Sequence, residues 1–210
     1  FLIWLLTTGC AEAPPERLGP VQTLAHSGAS NPTVAGNAVV GRTYASWVAV
    51  DGEDWNVWLT RFEDGMPSQP VRVNDVDGDG APHLQAPAQV AVGPEGNVYA
   101  LWTNNKVVKG RRFPSSNLRF ARSTNGGHSF EPAFTVNDDA GETPTSHTFH
   151  NLIVAADGTV IASWIDSRRQ PTLGGPAEGW EADPDRDVVS LETPGPDVRI
   201  AVSKNGGESF

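Results

Sequence analysis

Apolar and polar side chains alternate along Asn117–Ser123, with Leu118 and Phe120 set against Arg119, and the alternation then runs into Asn125-Gly126-Gly127 and closes on Phe130. The same order of events returns at Asp197–Phe210 and, in weaker form, at Asn56–Gly65. Period-two alternation places successive side chains on opposite faces of a strand, and Asn-Gly-Gly supplies positive φ at little steric cost, so each copy predicts strand, turn, strand. The Ser before each turn can bond back to the turn amides, and Phe130 or Phe210 can fill the gap between neighbouring units. A second pattern precedes each copy. Gln89–Trp102 and Asn151–Trp164 each predict two short strands about a Gly turn, at Gly96 and Gly158, and Thr43–Trp47 ends in the same way. Trp47, Trp102 and Trp164 lie 55 and 62 residues apart. With the short partners Pro70–Asp75 and Ala133–Asp138, each repeat predicts four strands, A to D, with the Trp at the end of B and the Gly-rich turn between C and D.

Ser123-Thr-Asn-Gly-Gly-His-Ser-Phe130 and Ser203-Lys-Asn-Gly-Gly-Glu-Ser-Phe210 resemble the Asp box, or BNR repeat, of sialidase-like β-propellers. Asn125 and Asn205 stand where that box has Asp, which keeps a short polar acceptor able to adopt the turn. The fold class expected is therefore all-β, a propeller of four-stranded blades. The resemblance implies six blades in full, of which about three are expected between residues 26 and 210. The structural box residues are Ser123, Asn125, Gly126, Gly127, Phe130, Ser203, Asn205, Gly206, Gly207 and Phe210. Alternating strand direction puts the boxes on one rim and the B–C and D–A connections on the other, where function in propellers of this kind gathers.

Frequent Gly, Pro, β-branched and aromatic residues agree with an all-β chain. The chain has 210 residues, and its 15 basic against 25 acidic residues give a formal net charge of -10, which argues against nucleic acid and against an anionic membrane surface as partners. Phe1–Leu6 is an apolar run followed by Thr7-Thr-Gly-Cys10 and a Pro-rich stretch, a pattern that looks like the end of a bacterial lipoprotein signal. The expected division is a signal over 1–10 ending at a lipidated Cys10, a tether over 11–25 and the propeller portion over 26–210, in a protein exported to the bacterial cell envelope. The alternative for the N-terminus is a buried strand with an inert thiol. With a single Cys there is no disulfide framework.

Candidate chemistry collects on the B–C and D–A rim. The second B–C connection, 103–116, is basic and contains Arg111 and Arg112. The third, 165–196, is long, a length more often functional than decorative, and contains Asp166, Arg168, Arg169 and Trp180. Arg captures carboxylates in bidentate fashion, and sialidases hold their substrate's carboxylate with three arginines, so these residues are candidate ligand contacts. The competing reading pairs Asp166 with Arg168 as a structural ion pair, and leaves Trp180 on a solvated loop. His26, His83 and His147 each precede a predicted A strand and are read either as a ring able to bind metal or as scaffold. Asp75, Asp77 and Asp79 match the first half of a calcium loop whose later Glu is replaced by Ala86, so a structural Ca²⁺ and an unoccupied acidic turn both fit, and no cofactor is required.

Sialidases use a Tyr nucleophile, which the resemblance places in the later blades, so catalysis stays open; Tyr44 and Tyr99 fall inside B strands, and the Arg-Ile-Pro motif of the first clamp arginine is absent. Three functions follow. The favoured one is a lipid-anchored sialidase-like module that binds a glycan or small-molecule ligand; the others are an exo-α-sialidase and a protein-binding scaffold. The membrane is reached through the lipid anchor only.

Overall fold

The computed structural model describes residues 21–25, 28–109, 114–141, 144–169 and 195–210. Cys10, Arg111, Arg112, Trp180 and His26 lie outside these residues. The described residues contain no helix and build three antiparallel sheets in chain order. Sheet 1 comprises β1 (Ala29–Asn37), β2 (Arg42–Asp51), β3 (Asp54–Glu63) and β4 (Met66–Pro67), with β5 (Val71–Arg72) also on β3. Sheet 2 is β6 (Gln89–Val92), β7 (Val98–Lys106), β8 (Ser115–Ser123) and β9 (Phe134–Thr135). Sheet 3 is β10 (His147–Val154), β11 (Val160–Asp166) and β12 (Asp197–Ser203). Chain-sequential strands pair within each sheet except that β4 and β5 both pair with β3, and β6 packs against both β1 and β10.

Two cores result, and sheet 2 contributes to both. Between sheets 1 and 2 lie Tyr44, Val48, Val57, Leu59, Val90, Val98 and Trp102. Between sheets 2 and 3 lie Tyr99, Leu101, Leu118, Phe120, Leu152, Val160 and Trp164. Alternation along β7 and β8 therefore does not separate core from solvent; it sends successive side chains into two different cores.

Three sequence expectations need correction. The B strands do not end at their Trp: β2 continues to Asp51, β7 to Lys106 and β11 to Asp166. A tight turn at Gly52, with φ of 65°, lets β2 and β3 pair up to Asp51 and Asp54, so the first B–C connection is only Gly52-Glu53. The outer strands are shorter than predicted, two residues each, because asparagine side chains take over from the backbone. Asn74 Oδ1 accepts the Val57 amide at 2.7 Å and Asn137 Oδ1 accepts the Leu118 amide at 2.9 Å, one step beyond the last backbone bonds from Val73 and Val136. His147 does not sit in a loop before strand A but opens β10 itself.

Candidate functional site

Both Gly-rich boxes have the same internal wiring. Ser123 Oγ accepts the Gly127 amide at 2.8 Å and donates to Asn125 Oδ1 at 2.7 Å, and Asn125 Oδ1 also accepts the Ser129 amide at 3.1 Å. Ser203, Asn205, Gly207 and Ser209 repeat this pattern at 2.9, 2.7 and 3.2 Å. Each box also seats on the preceding sheet. Tyr44 Oη donates to Gly126 O at 3.1 Å, and Arg61, the cross-strand partner of Tyr44, reaches Gly127 O at 3.4 Å. In the next repeat Gly207 lies against Tyr99, and Arg122, the cross-strand partner of Tyr99, donates to Gly206 O at 3.2 Å. Phe130 packs on the first core, and Phe210 meets Phe120 edge-on at 4.9 Å in the second. Tyr44 and Tyr99 are thus buried supports of the boxes.

At the opposite rim, register assembles a charged cluster at the end of sheet 3. His147 pairs across to Asp166, and Asp166 to Asp197, so three ionisable residues share one row over β10, β11 and β12. Arg199 stands two residues inward on β12, opposite Trp164. Asp138 and Asp139 arrive from the segment after β9. Arg168 links these groups: its Nε donates to Asp166 Oδ1 at 2.9 Å, and its Nη2 to Asp166 Oδ2 at 2.7 Å and Asp138 Oδ1 at 2.5 Å. The Arg168 amide also donates to Asp166 Oδ1 at 3.0 Å, and the Trp164 indole to Oδ2 at 3.2 Å. Burial alone would push the fully buried Asp166 carboxyl up, but these bonds from Arg168 and Trp164 outweigh it and hold the group at about 2. Hydrogen bonding to Asp166 raises the Arg168 pKa, and the bond from Arg168 lowers that of Asp138. Arg169 pairs with Asp197 at 2.5 Å.

The other predicted site residues scatter. Asp75 accepts the Ala133 amide at 3.0 Å, Asp77 pairs with Arg72, and Asp79 binds Arg119 Nε and Asn104 Nδ2, each at 2.7 Å. The three carboxylates are each held by a different protein donor and do not form a three-ligand group. Asp79 instead latches sheet 1 to sheet 2, since its carbonyl also accepts the Trp102 indole at 2.7 Å. Arg119 stands opposite Trp102 as Arg199 stands opposite Trp164, so the end of sheet 3 elaborates a joint already present one repeat earlier. His83 lies edge-on to Phe149 at 6.0 Å, and its Nδ1 accepts the Gln85 amide at 3.2 Å; it does not share the surroundings of His147.

Sequence reasoning missed Asp139, Asp197, Arg199 and His150. The repeat registration of Arg119 with Arg199 could have revealed one of them. The buried His150 carried no local signal, because only the packing of β10 on sheet 2 encloses it.

Fold and site together define an all-β protein of consecutive antiparallel meanders joined at both rims by repeated polar contacts. No family model matches the chain, and no curated protein matches it. Among solved structures the chain is similar to a Hadza microbial sialidase, Hz136, with a TM-score of 0.49 and 19% identity over 87% of this chain and 36% of that one. The chain thus spans little more than a third of that protein's length.

Proposed function

We propose that the chain is a lipid-anchored portion of a sialidase-like propeller in the bacterial cell envelope, with the three sheets as blades about β1, β6 and β10. In this reading it binds a carbohydrate or similar extracellular ligand on the rim of the β7–β8 and β11–β12 connections; hydrolysis of a terminal sialoside is the second reading, which the test below separates from it. The observation that favours ligand contact away from Arg168, Arg169, Tyr44 and Tyr99 is the commitment of these described candidates to internal partners. Arg168 serves Asp138 and Asp166, Arg169 serves Asp197, and both tyrosines support boxes. A carboxylate clamp needs guanidinium groups free to meet a ligand. Ligand contact is assigned instead to the exposed Lys106 at the end of β7 and Lys109 in the basic connection after it, with Arg111 and Arg112, and to Trp180 as an aromatic platform for a sugar ring.

The test screens the 210-residue chain on a glycan array and, in parallel, against a fluorogenic α-sialoside. Glycan binding that survives Arg168→Ala but is lost in Lys106→Ala/Lys109→Ala or Trp180→Ala supports the reading. Sialoside turnover abolished by Arg168→Ala in folded protein establishes a sialidase instead. Folded protein that captures no glycan leaves the protein-binding scaffold in its place.

A further inference from the structure

Asp139, His147 and Asp166 bring one side-chain atom each to a common point. His147 Nε2 lies 3.0 Å from Asp139 Oδ1 and 3.4 Å from Asp166 Oδ2, yet completes a hydrogen bond with neither. All three residues are buried. The other ring nitrogen fixes the chemistry: His147 Nδ1 is 2.6 Å from Ser116 O, a carbonyl that only accepts, so Nδ1 is the donor. In the neutral ring, Nε2 then presents a lone pair to two carboxylate oxygens. Three lone pairs converging in a buried space require positive charge beside them, which Arg168 Nη2 supplies to Asp139 and Asp166, and Arg199 Nε, 3.4 Å from Asp166 Oδ2, supplies to Asp166.

We propose that Asp139, His147 and Asp166 form a binding site for one divalent transition-metal ion of the Zn²⁺ class, and that Arg168 covers this site in the metal-free chain. The spacing suits such an ion, since tetrahedral ligands about 2.1 Å from Zn²⁺ are roughly 3.4 Å from one another. One imidazole with two carboxylates favours Zn²⁺, Co²⁺ or Mn²⁺ over Ca²⁺, which takes a larger shell of oxygens. The ligands are oriented from behind, as in metal centres: Nδ1 by the Ser116 carbonyl, Asp139 Oδ1 by Asn137 Nδ2 at 2.8 Å, and Asp166 by the Trp164 indole and the Arg168 amide. Arg168 Nη2 spans the two ligating oxygens, 2.7 Å from Asp166 Oδ2 and 3.3 Å from Asp139 Oδ1, and acts as the resident cation. Arg168 is partly exposed and its Nε is bonded to the other oxygen of Asp166, so Nη2 can swing outward as the ion enters while the side chain stays attached. The guanidinium and the ion compete for the same two atoms.

That competition fixes the sign of the test. The 210-residue chain, stripped with EDTA, is titrated with Zn²⁺ by calorimetry and with Co²⁺ by visible absorption. One equivalent is expected to bind, with the intense absorption of a tetrahedral Co²⁺ centre. Asp139→Asn and His147→Gln are expected to weaken affinity at least tenfold, Asp79→Asn to leave it unchanged, and Arg168→Ala to strengthen it. Circular dichroism checks each fold, and should Asp139→Asn or His147→Gln fail to fold, Arg168→Ala and the Co²⁺ spectrum decide. Absence of one-equivalent binding, equal affinity in folded Asp139→Asn, or no gain in Arg168→Ala overturns the proposal. A ¹⁵N spectrum showing a proton on His147 Nε2 that Zn²⁺ does not displace overturns it too.

Discussion

Single residues in this chain act through what their polar atoms must find once buried. Ser123 Oγ is the acceptor for the Gly127 amide, so Ser123→Ala leaves a buried N–H unmet and is expected to cost roughly 1–3 kcal/mol in urea unfolding. Asn125→Asp keeps every acceptor role of Oδ1, and Ser129 Oγ can turn from acceptor to donor, so its change is expected within about 0.5 kcal/mol. That near-neutrality is the physical content of Asn standing for Asp in these boxes. His150 makes a pH prediction. Burial pushes its pKa down to about 4, and the nearby His83 adds to the effect, while the carbonyls of Pro87 and Leu101 oppose it without completing hydrogen bonds to the ring. The unfolded chain, with an ordinary His near 6.5, binds the extra proton first on acidification. Stability from this group is complete above about pH 6.5, falls as pH drops to about 4 and is flat below, a loss of roughly 3 kcal/mol. His150→Gln should flatten that part of a stability-against-pH curve measured by urea melts.

At the scale of elements, the boxes were legible in the sequence because every bond inside them spans at most four residues. Their seating was not, since Tyr44 and Gly126 are 82 positions apart and only folding makes them neighbours. The same distance hid the role of Asp79, which reads locally as half a calcium loop and is held by Arg119, 40 positions away. The strand ends were misjudged for another reason: Trp47, Trp102 and Trp164 mark where a core layer lies, and backbone pairing continues past it. Glycine substitutions separate turn from seating. Gly127 has φ of 81°, and a Cβ there would come within 3.0 Å of Tyr44 Cε1 and 3.3 Å of Leu59 Cδ2. Gly158 has φ of 85° with nothing within 4 Å. Gly158→Ala is expected to lose about 1 kcal/mol, the backbone contribution alone, and Gly127→Ala roughly 1–3 kcal/mol more from crowding sheet 1. Thermal melts of the two variants compare them directly.

At the scale of the molecule, sheet 2 is the one sheet among the described residues with a core on each face. Leu118 and Phe120 of β8 are fully buried, whereas Val198 and Ile200, at the matching places of β12, are 75% and 66% exposed. Native-state hydrogen exchange should therefore be slowest in β7 and β8, and faster in β12, because opening sheet 2 disrupts two cores at once. Substitutions should follow the same order: Leu118→Ala on the order of 3 kcal/mol, Val198→Thr within about 0.5 kcal/mol. The Tyr–Arg pair on which each box rests gives this arrangement a direction. Tyr44 and Arg61 belong to sheet 1 and receive a turn from sheet 2; Tyr99 and Arg122 belong to sheet 2 and receive one from sheet 3. Both sockets among the described residues are encoded upstream of their plugs. On a ribosome the receiving surface emerges before the turn that fills it, so each finished sheet becomes a template for the next, and the chain can assemble in the order in which it is made.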